Sequence, residues 1–475
     1  MNTAADRETE SRARKSPGPA YRFLKVFTDV RPGEAPTAFL LTLNVFLLLM
    51  AYYLIKPVRE ALILVGKDPQ TKAYLSGAQA LLLIFVIKAF SRLSSKVPRH
   101  LFITWVTLFF ISNLALFYIF HLWGMPMGTM GIIFFIWIGI FNIFIVAQFW
   151  GFANDIYTEE AGKRLFPIVA VGQTCGALFG TQIAKLIIGP IGPNFAYIMM
   201  LLAAAILGMC IGLTIIIHKR EIKRIRERVQ KVDPRTQEEE QLKARPLKKG
   251  GGFTLIFKTR YLLYYALVIL TLNFVNATGE YLWGDVLKRT ATKAVQLGTS
   301  GGLDISQLVA KISADYQGLA AIIALIIQLF LVSRIIKRVG VSGALLFLPF
   351  IALGGYGLVT VGAASLFMIK WIKGLENGTD YSLMNTTKGA LFLITSREAK
   401  YKGKAAADTF FYRGGDALAA LSVFIGLNFL GFKIANFAAV NVVVVLIWIF
   451  FSILVIREYR KLKAKSAISG TDQKT

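Results

Sequence analysis

Repetition constrains this chain most. Apolar runs of the roughly 20 residues that a helix needs to cross a bilayer recur from one end to the other. They fall at 37–64, 73–93, 99–121, 129–155, 163–188, 193–218, 261–287, 306–334, 341–363, 365–394, 403–430 and 434–457, about twelve in all. Backbone groups in lipid have no water to bond, so a crossing segment must be a helix or part of a closed barrel. The runs are continuous rather than alternating, which selects helices. With 55% hydrophobic residues, the chain reads as an all-α polytopic membrane protein.

A net charge of +27 invites a nucleic-acid reading, but its distribution argues against one. The lysines and arginines gather before residue 36, in "SRLSSKVPRH", in the 218–260 loop, in "SRIIKRVG" and "TSREAKYKGK", and after residue 457. With twelve crossings these all lie on one face, while "HLWGMPMGTM", "IGPIGPN" and "VGAAS" on the other face carry almost no basic residues. That is the positive-inside asymmetry of a multi-pass protein with both termini cytoplasmic. No removable signal peptide is expected, and an inner bacterial membrane suits the acidic residues of the N-terminal tail better than an organelle does. Cys175 and Cys210 lie inside spans, so neither a disulfide framework nor a metal site is expected.

One long polar connection divides the spans six and six. The expected organisation is an N-terminal tail (1–36), a six-helix bundle (37–218), a basic linker (219–260), a second bundle (261–457) and a C-terminal tail (458–475). By analogy this 6+6 plan has the shape of major-facilitator-type transporters, whose two halves enclose a central cavity. A second insert, Leu287–Asp304, is expected to be a loop on the face opposite the termini, with a flexible flap as the alternative.

Ionisable residues inside spans are costly unless they face the bundle interior, so they mark a path. In "AYYLIKPVREALIL", Lys56, Arg59 and Glu60 share one helical face by their i, i+3, i+4 spacing. Pro57 is expected to kink that helix. Snorkelling at an interface is the alternative for these charges. Asn154 and Asp155 end the fourth span and are placed on the path, while Glu159 and Glu160 with Lys163 and Arg164 beyond them read as a gate-like salt-bridge cluster or a plain solvated loop. Glu280 lies on one stripe with Asn273 and Asn276, one turn before Trp283, and the asparagines can equally be interhelical glue. The tenth span is the most polar, with Lys373, Glu376, Asn377, Asp380 and Lys388 requiring a hydrated interior. Lys404, Asp408 and Arg413 lead inward along the eleventh. Cations beside Tyr52, Tyr53, Trp150 and Trp283 suit a phosphorylated, ring-bearing anion.

These motifs resemble the nucleotide transporters of plastids and obligate intracellular bacteria, the ATP/ADP translocases. The resemblance runs over essentially all the spans. It is carried by "YYLIKPVREALIL", by "FWGFAND" followed by "AGKRLFP", by Glu280 with Trp283, and by Lys404 with Asp408 in "KGKAAAD". It implies ATP/ADP exchange, with Arg59, Asp155, Glu280 and Lys404 as the important charges. Three positions depart from the pattern. Arg59 stands where the family has lysine, Gly389 follows Lys388 where a glutamate is usual, and Asp416 in "RGGDAL" occupies the place of a further lysine.

The expected function is therefore secondary active transport of nucleotides, ATP against ADP, by alternating access. The rivals are a permease for another organic anion, possibly coupled to protons, and a membrane scaffold that no longer transports. The chain contains no GxxxxGK[ST] phosphate loop, so neither hydrolytic machinery nor a bound cofactor is implied. The expected partners are ATP, ADP or another organic anion and the lipid bilayer, with no nucleic acid, and a monomer is expected.

Overall fold

The computed structural model describes residues 34–94, 99–157, 159–229, 252–362, 365–396 and 398–471. The tail before Glu34, the linker stretch 230–251 and residues 472–475 lie outside the described residues, as do the side chains of Glu159, Glu160 and Lys163.

The first half holds α1 (Ala35–Gly66), α2 (Pro69–Ser94), α3 (Arg99–Leu122), α4 (Met127–Ile156), α5 (Glu159–Ile191) and α6 (Phe195–Val229). After the short α7 (Gly252–Lys258) the second half begins with α8 (Arg260–Gln296) and α9 (Ile305–Ile326). It continues through α10 (Val332–Thr360), α11 (Leu366–Thr379), α12 (Asn385–Ala390), α13 (Lys404–Ala406), α14 (Tyr412–Asn428) and α15 (Ile434–Thr471).

Nine helical runs among the described residues are long and apolar enough to cross a membrane. One of them, Arg164–Glu221, spans 58 residues. At about 1.5 Å per residue that is far too long for one crossing, and its single break makes it two. The break is a 3₁₀ turn at Gly192–Asn194, where Gly192 takes φ 74°, a value glycine reaches without Cβ strain. Ile305–Thr360 breaks in the same way at Gly340, with φ 71°. Splitting those two runs and adding the polar segment Leu366–Ala390 gives the twelve crossings of an all-α, 6+6 membrane protein.

α1 stays one continuous helix through Pro57, and one local expectation further along the chain is corrected. The proline removes only one ladder bond, and it is buried in a helix clamped by α4, α5 and α6. The insert Leu287–Asp304 is half helix, because α8 continues to Gln296 with Leu287 and Ala291 fully buried against the second half's core. α9 then starts with a capping box. The Gln307 N–H donates to Asp304 Oδ1 at 2.8 Å, and the Asp304 N–H donates to Gln307 Oε1 at 3.1 Å.

α1 can serve as the first half's central post because α5 offers it glycines every four residues. A Cβ at Gly172, Gly176 or Gly180 would come within 2.6 Å of Thr42 Cγ2, 2.2 Å of the Phe46 carbonyl oxygen or 2.5 Å of the Met50 carbonyl oxygen. Small residues in register let the two backbones touch. In the second half α8 packs against α14 and α15. The halves meet along α5 with α9, α1 with α9, and α2 with α14 and α8. Consecutive crossings alternate in direction, so α1 enters from the face carrying the termini and ends at the opposite, loop face.

Candidate functional site

Two adjoining cavities lie between the halves. The smaller, about 210 Å³, sits toward the loop face and is lined by Lys56, Arg59, Glu60, Lys72, Glu280, Trp283, Tyr316 and Arg413, among others. The larger, about 800 Å³, extends toward the termini face as far as Lys388 and Asp408. Tyr52, Lys56, Asn142, Ile143, Tyr381 and Tyr412 line both, so the two are compartments of one chamber.

A charged chain runs across the smaller compartment. Glu60, 2% exposed, accepts from Arg59 Nε at 3.0 Å and from Lys72 Nζ at 2.7 Å. Lys72 also donates to Glu280 Oε2 at 3.3 Å, which carries the chain from the first half into the second. The Tyr316 hydroxyl donates to Glu280 Oε1 at 3.1 Å and receives an N–H from Asn377. Behind this wall lies Lys373, 1% exposed, 3.9 Å from Glu280 Oε1 and donating to Glu376 Oε2 and Asn276 Oδ1 at 3.0 Å each. The Tyr356 hydroxyl closes the set on Glu376 at 3.0 Å. A buried charge persists only when it is paired and bonded in this way.

Lys56 differs. Its ammonium lies 4.8 Å from the Tyr53 ring centroid and 5.9 Å from that of Tyr52, and no salt bridge to it is recorded among the described residues. It stands on the wall that both compartments share.

In the larger compartment Asp380 pairs with Lys388 at 3.6 Å. Asp408 pairs with Lys404 and accepts from the Tyr265 hydroxyl at 2.8 Å. Both aspartates sit in π-helical turns, Asp380–Met384 and Ala407–Phe411. Such wide turns re-aim side chains and recur at functional sites. Arg413 pairs with Asp416 at 2.8 Å, so the departure at Asp416 neutralises a cation of the chamber.

The expected site residues therefore sort cleanly. Lys56, Arg59, Glu60, Glu280, Trp283 and Arg413 line the smaller compartment, and Asp380, Lys388 and Asp408 the larger, with Lys56 common to both. Lys373 backs the wall one bond behind Glu280, and Lys404 backs Asp408. Asn154 and Asp155 line neither compartment, since the last turn of α4 carries them exposed onto the termini face. Asn273 lines the smaller compartment and also ties α8 to Tyr412, its amide donating to the Tyr412 carbonyl at 2.6 Å. Sequence reasoning missed Lys72, Tyr316, Tyr381, Tyr412 and Asn142. Lys72 stands one residue outside the predicted second span, where a lysine reads as an interfacial residue.

The loop face is stitched across the halves. Lys288 donates to the Lys67 carbonyl at 2.9 Å and faces Asp68 at 3.4 Å. Asp315 holds Lys185 of α5 at 2.7 Å and also Lys370, and the Gln307 amide donates to the Ile188 carbonyl at 3.1 Å.

Known proteins share both architecture and sequence with this chain. The nucleoside transporter NupG superimposes with a TM-score of 0.57 at 12% identity, over 90% of this chain and 98% of that one. The POT family transporter PepTSo superimposes with a TM-score of 0.59 at 11% identity, again over 90% and 98%. At such identities the likeness is one of fold. In sequence, ADP,ATP carrier protein 2 of Chlamydia trachomatis serovar D is 22% identical over 67% of this chain and 63% of its own length. The chain thus spans under two thirds of that relative. ADP,ATP carrier protein 2 of Chlamydia pneumoniae is 22% identical over 89% of this chain and 88% of its own length. The pattern that defines the TLC ATP/ADP transporter family matches residues 130–461, which is most of the chain and nearly all of its second half. The chain is a member of the TLC ATP/ADP transporter family.

Proposed function

We propose that this protein exchanges nucleotides, ATP against ADP, by rocking its two halves about the chamber. The observation that carries the reading is the position of Lys56, an ammonium with no carboxylate partner among the described residues, on the wall shared by both compartments. Arg59 and Lys72 stand in the smaller compartment with it. Phosphate oxygens would settle there, Arg59 binding through its planar fork and the lysines as point charges. The larger compartment offers ring faces and amides to a base and sugar, through Tyr53, Tyr381, Tyr412, Asn142, Gln173 and Asn385.

The stitched loop face and the cavity reaching toward the termini face support a conformation that receives cargo from the side of the termini. The basic loops of that side support its being the cytoplasm of a cell whose inner membrane holds the protein. The reading is tested in proteoliposomes. Labelled ATP taken up only against internal ADP supports it, and indifference to internal nucleotide sinks it.

One observation favours a second reading, a permease for another organic anion. Asp416 cancels Arg413 inside the chamber, which lowers the charge available to a triphosphate. A binding panel of mono-, di- and triphosphates alongside non-nucleotide anions separates the two readings.

A further inference from the structure

At the chamber the halves are joined by an ion bridge that a single side chain makes. Lys72, 4% exposed near the loop-face end of α2, holds Glu60 of its own half at 2.7 Å and Glu280 of the other half at 3.3 Å. Opening the loop face has to part Lys72 from Glu280. The two sides of that break are unequal. Glu280 keeps partners in its own half, Tyr316 at 3.1 Å and Lys373 at 3.9 Å. Among the described residues Lys72 keeps only Glu60, which Arg59 already holds. The first half's wall of the smaller compartment thus retains three cations, with Lys56, against one carboxylate. Until water reaches the parted groups, such an excess in a low-dielectric wall is strongly disfavoured. A bound polyanion removes the excess and, by like-charge repulsion, turns Glu280 toward Lys373.

We infer that Lys72 is the residue that makes exchange obligatory: bridged to Glu280 it clamps the loop face of the empty carrier shut, and the phosphates of a bound nucleotide release it. The consequence for exchange rests on the nucleotide reading, whereas the clamp itself does not.

The test begins without cargo. Spin labels on the exposed loop-face residues Trp123 and Gln296, introduced as Trp123→Cys and Gln296→Cys with Cys175→Ala and Cys210→Ala, report the separation of the halves in the purified full chain. The empty parent shows one short distance. Lys72→Met and Glu280→Gln each add a longer population of at least a tenth, and Lys72→Arg returns the parent distribution. Transport is then read in proteoliposomes. Net ATP uptake into nucleotide-free vesicles, relative to exchange against internal ADP, rises at least tenfold in Lys72→Met and Glu280→Gln.

Unchanged distances in both variants overturn the clamp, whatever the cargo. Shifted distances with an unchanged uptake ratio overturn its link to exchange. A parent that moves no nucleotide, with variants whose distances shift, supports the clamp while overturning the nucleotide reading.

Discussion

Lys56 in α1 and Lys373 in α11 pose opposite electrostatic problems. Lys56 faces open chamber with two tyrosine rings as its neighbours. Cation–π contacts of that kind contribute about 0.5–2 kcal/mol, less than a charge-assisted bond to an anion would add. Lys56→Ala is therefore expected to weaken ATP binding at least tenfold, on the order of 1.4 kcal/mol, while leaving the melting temperature nearly unchanged, because no partner is stranded. Equilibrium binding and a thermal melt on the same preparation check both halves of that statement. Lys373 is buried against Glu376, so Lys373→Met strands a carboxylate and is expected to cost about 3–5 kcal/mol of stability. Adding Glu376→Gln should recover most of that loss in a denaturation series, and failure to recover it would show that the pair is not what holds the segment. The charges of α1 were legible in sequence because Lys56, Arg59 and Glu60 interrupt an apolar run at helical spacing. Lys72 was not, since hydropathy places a membrane edge only to within a turn or so and an edge lysine reads as snorkelling. The same blur misplaced Asn154 and Asp155, which the final turn of α4 presents outward.

Among the elements, α1 and α5 form the tightest seam. Their contact depends on Gly172, Gly176 and Gly180 having no side chains, and Gly176→Leu would drive a branched chain into the Phe46 carbonyl. Overpacking of this kind costs roughly 1–3 kcal/mol, and backbone is what would have to yield here. Gly208, with nothing within 4 Å of a built Cβ, is the control, and Gly208→Ala should leave the melting temperature in place. Equal losses at both sites in a thermal-shift assay would remove the seam's special role. Helix existence was readable from run length alone. Helix continuity was not, because it depends on neighbours. Burial among three helices keeps α1 whole across Pro57, and the apolar pair Leu287 and Ala291 prolongs α8 through a stretch whose charges and glycines read as loop. The π-helical turns at Asp380 and Asp408 had no signature in periodicity, since one added residue shifts the register of everything beyond it while leaving local hydropathy unchanged.

For the whole molecule, if the cargo is ATP exchanged for ADP with all charges intact, one net charge moves per cycle. A potential of 100 mV would then bias the exchange by roughly 2.3 kcal/mol, close to fiftyfold. Proteoliposomes clamped with potassium and valinomycin should show that bias, and voltage-indifferent exchange would mean that a compensating ion travels too. The 6+6 plan was legible from the spacing of the runs and the basic linker, whereas the meeting of α2 with α8 and α14 depends on packing that no local pattern encodes. Stitches among Lys288, Asp68, Lys185, Asp315 and Lys370 hold the loop face of the conformation described. Pharmacology would inherit that asymmetry. A rigid polysulfonated dye, too bulky to be swallowed, should wedge the vestibule and arrest turnover when added to inverted vesicles, yet be ignored by right-side-out ones until cargo has turned the carrier toward it.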